Sequence, residues 1–456
     1  MKPRTIGVGI LGFVIAIGSV VTAGAQSAET VGNTSTAARI SRNTGPVTMG
    51  VPRILGGSAS PRSQVRAVAT SRPVPGLTIS TQSFSGSEGL LPLWTFNILG
   101  SRDGDHHLGT IVGHSPFKDP QTDRIPTHIV PLLIRTHRVA TAIDPKTLIL
   151  TTAPGDTITD PTVADNACLK APNNVPATLV RQSPIMTPTK FVFGGTDMGT
   201  TQYLDAFERA SFFKALGSRA DRYHVLLDPI SMHEPVVIDV PANEGLAIDD
   251  PQFFKAFQFS ICAPLQLVDI NWFDSYVQGT VLPALAAEGI DADSLPVFLS
   301  YEAAWPVADV TNLGNCCAIG YHNATGAPIV TQTYSVADFD RTQFFLGPPA
   351  GLDTEPLSHE IGEWINDPFV SNLTAPWGHT GQVAGCQANL EVGDPLSGTD
   401  LPPVTMPNGF VYHLQELAFF SWFYGAPSVG VHGWFSNNNT FSDASGTPLD
   451  AGPPCP

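Results

Sequence analysis

The spacing of apolar positions changes character along the chain. Residues 26–90 show no sustained apolar period. Ser, Thr, Gly, Ala and Pro dominate there, which reads as a low-complexity linker or a pro-segment. Order is expected to begin near the run "LLPLWTFNILGS" and to open a β-rich region over 91–250. Thr127–His137 and Lys146–Thr152 are short β-branched or leucine-rich runs bounded by Pro, Asp and Gly, the pattern of strands. Tyr223–Ile230 and Pro235–Val240 repeat it. Between them, Tyr203, Phe207, Ala210 and Phe213 recur at helical spacing and Gly217 supplies a stop, so an amphipathic helix is expected there.

The second half is patterned more sharply. Val268–Ile290 places Phe273, Tyr276, Val277, Val281 and Leu285 on one face of a helix that should end near Gly289. Leu295–Ala303 reads as a buried strand. Cys317–Asn323 and Pro328–Val336 read as two more, with "NATGA" as the turn between them. A short helix follows in "PLSHEIGEWINDP", Pro356–Pro368, and a second, aromatic-faced helix over Tyr412–Gly425. This order predicts an α+β domain over 251–456: a mixed sheet over a helix that presents side chains into a cleft.

Composition narrows the function classes. Charged residues are only 14% of the chain, against about 25% in an average soluble domain, so each acid in an apolar setting carries weight. The formal net charge of -17 argues against nucleic acid and anionic membrane surfaces as partners, since both need a basic patch. Lys2 and Arg4 precede an apolar run, Ile6–Thr22, and then Ala23-Gly24-Ala25. This is the layout of a secretory signal peptide over 1–25, and it implies a secreted protein, extracellular or periplasmic, with no membrane contact beyond that segment. Export makes disulfides permissible among Cys168, Cys262, Cys316, Cys317, Cys386 and Cys455. The adjacent Cys316 and Cys317 are expected to bond to different distant partners, with Cys386 or Cys455 as one of them.

The chemistry concentrates in "SHEIGEWINDP". Residues at i and i+4 share a helix face, so His359 and Glu363 can hold one cation together. Glu360 sits on the adjacent face, where it could take a proton from a metal-activated water. That is the arrangement of H-E-x-x-H with Glu in place of the second His, and a carboxylate is an acceptable zinc ligand. The extra anionic ligand should weaken activation of the water or favour a harder metal. Ser358 is the expected N-cap, with Glu360 and Glu363 near the positive end of the helix dipole. Pro368 should stop the helix. Three acids compete as a third ligand: Glu391 and Asp394 in "CQANLEVGDP", and Asp367, four residues after Glu363.

The run "SHEIGEWINDP" followed by "NLEVGDP", with "CAIGYHN" before it, resembles a family of secreted bacterial zincin-like putative metallopeptidases that carry an H-E-x-x-E helix and a downstream E-x-G-D segment. There is a more distant likeness to plant phosphate-induced, exordium-like proteins. The resemblance covers Leu91 to Cys455, and Pro395 stands where it leads one to expect a cysteine. It implies a zincin-like fold, zinc or another divalent metal held by His359, Glu363 and Glu391, and Glu360 as general base. The implied activity is hydrolysis of a peptide or protein substrate. The competing expectation is a non-catalytic secreted binding or cell-surface protein that keeps the fold.

Other groups are read more plainly. His322, in "GYHN", is taken as a packing residue that could also reach the cleft from the neighbouring strand. Tyr321 and Tyr412 are similar cases. His413 and Glu416 read as a surface ion pair, and "SRDGDHH" as a solvated loop. His233-Glu234 is discounted because Pro235 follows. No nucleophile elbow, P-loop or dinucleotide fingerprint occurs.

Overall fold

The structure is a computed structural model that describes residues 76–84, 90–169, 174–257, 261–327, 330–341, 352–425, 427–441 and 455. The expected signal peptide and most of the expected linker lie outside the described residues. The end of that linker does not read as the sequence suggested. Ile79–Phe84 forms a strand, β1, paired antiparallel with β2 (Leu93–Leu99), which in turn pairs with β3 (His106–Val112). No helix among the described residues is long and apolar enough to cross a membrane.

The fold is mixed α+β and rich in strands. Its organiser is β4 (Thr122–Ile143), a strand of 22 residues whose Ile and Val positions continue through Pro126 and Pro131. The strand β5 (Leu150–Thr159) folds back on its second half, starting four residues later than the apolar run at Lys146 suggests. Then come α1 (Pro176–Arg181), the hairpin β6 (Thr189–Phe193) and β7 (Thr196–Thr201), and the expected helix split at Phe212 into α2 (Tyr203–Ser211) and α3 (Phe213–Leu216), after which Gly217 caps α3 and a 3₁₀ turn continues to Arg219. Next are β8 (His224–Met232), β9 (Val236–Asp239), β10 (Gly245–Ile248) and β11 (Leu265–Val268). A continuous helical stretch follows: α4 (Ile270–Tyr276), a π-helical turn (Val277–Val281) and α5 (Leu282–Ala287). The last strands of the main sheet are β12 (Leu295–Tyr301), β13 (Ala303–Ala304), β14 (Gly320–Ala327) and β15 (Val330–Phe339), so "NATGA" extends β14 rather than forming the turn. The main sheet runs β13-β11-β10-β4-β12-β15-β14, with β5, β8 and β9 also on β4. Strands from both sides of residue 250 therefore share one hydrogen-bonded sheet: β12 lies parallel to β4, Val297 opposite Ile129.

The sheet separates two apolar cores. β12 is buried along its whole length, as a strand covered on both faces must be. Alternation sends Val297 and Leu299 to one core and Phe298 to the other. On the Phe298 side lie Ile270, Phe273, Val277 and Leu285 of the long helical stretch. On the other side lies α6 (Glu355–Asn366), packed on β14 and β15. Its Leu357, Ile361, Trp364 and Ile365 follow helical spacing into the core, and the Trp364 indole donates to Thr333 Oγ1 at 2.9 Å. The hairpin β16 (Leu373–Thr380) and β17 (Val383–Asn389) follows, and then a short helix, α7 (Phe420–Tyr424).

Two local expectations are corrected. α6 starts a turn earlier than Ser358: Thr354 is the N-cap and Glu355 is the acid in the first turn, next to Pro356. Ser358 sits inside the helix, its hydroxyl donating to Glu355 O at 2.8 Å, so Glu360 and Glu363 lie beyond the first turn. The stretch from Tyr412 is not one helix. Only Phe420–Tyr424 is helical, because Thr399, Asn437 and Ser358 take up the backbone of 415–417 in irregular pairings. The cysteine expectation also fails. Cys386 and Cys455 pair with each other at a Cα–Cα distance of 5.7 Å, and Cys168 pairs with Cys262 at 5.3 Å. No distant partner remains for Cys316 and Cys317, which bond to one another.

Candidate metal centre

α6 turns its apolar stripe to the core and its 359–360–363 face toward the β16–β17 hairpin. The turn after β17 brings back Glu391, Gly393 and Asp394. Gly393 has no room for a side chain: a Cβ there would lie 2.5 Å from His359 Nδ1. Gly320 of β14 is equally close on the other flank, where a Cβ would meet Glu360 Cγ at 2.6 Å. The two glycines let backbone from both sides close on the helix face.

His359, Glu363 and Asp394 converge. His359 Nε2 stands 3.1 Å from Glu363 Oε1 and 3.5 Å from Asp394 Oδ1. The imidazole is held from behind by Gln415, whose Oε1 lies 3.0 Å from His359 Nδ1. Gln415 Nε2 donates to Gly393 O at 2.6 Å, so its oxygen must face the histidine. Nδ1 therefore carries a hydrogen and Nε2 is the atom turned toward two carboxylates, the orientation of a metal-ligating histidine. Glu363 is fixed by the Gly393 and Asp394 amides, which donate to its Oε1 at 3.0 and 3.2 Å. Asp394 accepts from the amides of Gln382 and Gln387.

The other acids are close by. Glu391 shares the cavity but lies against His322, with its Oε2 3.9 Å from His322 Nε2, while its Oε1 accepts from Asn389 at 2.7 Å. Asp367 turns away, accepting from the Ser371 and Asn372 amides beyond the helix end. Glu360 Oε1 is 4.0 Å from His359 Nε2, one step outside the convergent set. The cavity measures about 40 Å³ and is lined by His359, Glu360, Glu363, Gln387, Glu391 and Asp394 among others.

The electrostatics are lopsided. Five carboxyl groups, on Glu360, Glu363, Asp367, Glu391 and Asp394, are buried with only two imidazoles, on His359 and His322. Burial, then the neighbouring Glu363, Asp367 and Asp394, push the Glu391 carboxyl well above its usual range. Burial also raises Asp394 and Glu360, and carries Asp367 up to about 7. Glu363 goes the other way: burial opposes its charge, but His359 beside it outweighs that and holds it low. His359 is raised well above an ordinary imidazole, because Glu363 and Glu360 outweigh its own burial. A proton on His359 thus balances part of the excess, at the position a cation would take.

Sequence reasoning located His359, Glu360, Glu363, Glu391 and Asp394, and the fold gathers all of them around one cavity. It underrated His322, which is fully buried and faces three of these acids. It missed Gln382, Gln387, Asn389 and Gln415, whose amides carry no motif signal. The remaining candidates lie elsewhere. Tyr412 donates to Leu179 O, and His413 pairs with Asp353 at 2.7 Å rather than with Glu416. Glu416 is buried and accepts from the Asn438 amide at 3.0 Å and the Thr440 hydroxyl at 2.6 Å. His233 pairs with Glu288, and Asp103 of the loop before β3 pairs with His107, which is buried in that strand. No protein-family model, curated protein or solved structure matches the chain.

Proposed function

We propose that this chain is a secreted metal-dependent hydrolase of the zincin-like type, acting on peptide bonds. The observation that carries the proposal is the convergence of His359 Nε2, Glu363 Oε1 and Asp394 Oδ1, with Nε2 of the histidine turned toward the acids by Gln415. One imidazole and two carboxylates suit zinc or a harder divalent ion. Such an ion, when bound, polarises a carbonyl and acidifies a water. Glu360 lies beside the set without belonging to it, and burial has already raised its affinity for a proton, as a general base requires. Asn389, Gln382 and Gln387 hold the acids in place. Glu391 supports the centre from the cavity wall. Secretion is supported by the apolar segment Ile6–Thr22 and by the long-range disulfides.

A second reading has its own observation. The cavity of about 40 Å³ admits a few water-sized groups rather than a peptide side chain, which favours an ion that ties the 391–394 turn to α6 without catalysis. One experiment separates the two. Protein purified without chelator is expected to carry a stoichiometric divalent ion, lost in His359→Ala, and to cleave a peptide library. Glu360→Gln should keep the ion and lose cleavage. Cleavage retained in Glu360→Gln removes Glu360 as the base. Metal without any cleavage supports the structural ion.

A further inference from the structure

We infer that a second divalent cation binds beside that cavity, between His322 Nδ1 and the Oε2 atoms of Glu360 and Glu363, with Glu363 bridging the pair. The inference rests on the reading of His359, Glu363 and Asp394 as a cation site.

The tautomer of His322 is fixed by its neighbour. Its Nε2 lies 3.1 Å from the backbone oxygen of Asp367, which can only accept, so Nε2 carries the hydrogen. That leaves Nδ1 as the ring atom turned toward the acids. That atom is wholly buried and has no hydrogen-bond partner. It faces Glu360 Oε2 and Glu363 Oε2, both at 3.7 Å, beyond hydrogen-bond reach. Glu360 Oε2 is likewise buried without a partner. The three ligand atoms lie within 4.8 Å of one another.

A buried histidine kept for packing is ordinarily satisfied at both nitrogens. A water does not resolve this cluster, since it offers two protons to three acceptors. A cation satisfies all three at once. Different atoms serve the two positions. Glu363 turns Oε1 to His359 and Oε2 to His322, and each imidazole is backed by its own acceptor, Gln415 or the Asp367 carbonyl. The cavity that Glu360 and Glu363 line borders this position, and its volume of about 40 Å³ corresponds to roughly three water-sized volumes of 10–15 Å³ each. Glu360 meets the second cation through Oε2 and keeps Oε1 toward the first position, where it remains a proton acceptor of lowered basicity.

The test uses the whole secreted chain, stripped with chelator and titrated with Mn²⁺ alone. Mass spectrometry should count two Mn²⁺ per chain at saturation, and electron paramagnetic resonance should show a spin-coupled pair. His322→Gln should bind one Mn²⁺ with an uncoupled signal and an unchanged circular dichroism spectrum. The wild-type count and coupling decide the matter even if that variant does not fold. One uncoupled Mn²⁺ in the wild type overturns the pair and leaves the His359 reading standing. Two in His322→Gln overturns the placement. None in any form overturns both readings.

Discussion

The two faces of the main sheet each bury carboxylates, and they do so in opposite ways. On the α4 side, Asp274 is surrounded by neutral donors. Tyr334 donates to its Oδ1 at 2.5 Å, Gln278 to its Oδ2 at 2.7 Å, and Asn323 approaches at 3.4 Å. On the α6 side, buried acids crowd together, and oxygens of Glu360 and Glu391 have no donor. A single strand serves both: β14 sends Tyr321 and Asn323 to one face and His322 to the other. The difference separates structure from function. A carboxylate that the protein itself satisfies holds the fold together. On the proposed reading, the group that the protein leaves short of positive charge is the one a bound cation would complete.

The largest effect should come from the satisfied face. Asp274→Ala would leave Tyr334, Gln278 and Asn323 without their acceptor; at about 1–3 kcal/mol for each buried unpaired donor, we expect a loss of about 3–5 kcal/mol in urea unfolding. Metal content should not change. A variant that loses its ion would break the comparison, since the two faces would then be coupled.

A smaller effect is expected behind the proposed metal site. Gln415→Leu frees His359 to rotate and to hold its proton on either nitrogen. Metal affinity should fall about 10–100-fold in a competition titration. The chelated protein should unfold nearly as before, and equal metal affinity in the two proteins would remove Gln415 as the group that orients His359.

The smallest effect sharpens the contrast by its sign. Glu391 has a raised pKa in the folded chain, so its contribution is complete below the unfolded value and is lost as pH rises toward the folded one. Glu391→Gln should therefore stabilise the chelated protein at pH 8, by about 1 kcal/mol, and do nothing at pH 4. Asn389 keeps an oxygen to which it can donate. Destabilisation at pH 8 would show that the acids on this face are as well satisfied as Asp274.

What could be read from sequence followed the range of the interaction. His359 and Glu363 were legible because one helical turn fixes their relation. α2 and the α4–α5 stretch were legible because apolar spacing within a single segment decides them. The place of His322 depends on how far β14 slides along β15, where Tyr321 meets Val336 and His322 meets Ser335, and nothing local records that register. Gln415 lies in a run whose aromatic spacing imitates a helix, while its backbone bonds to Ser358 and the side chain reaches Gly393. The disulfides were misjudged because adjacency suggested separate partners, and the pairing was settled by where β17 and Cys455 come to lie.

That last bond bears on the order in which the molecule is made. Cys386 sits in β17, next to Gln387 and near Asn389, the amides that steady Asp394 and Glu391. Its partner is synthesised 69 residues later. A ribosome releases α6 and its acids well before Cys455 exists, and thiols of the cytosol would stay apart even then. The roof of the cavity is fastened only where disulfides form, so on the proposed reading a cation bound under it would be one acquired in such a compartment.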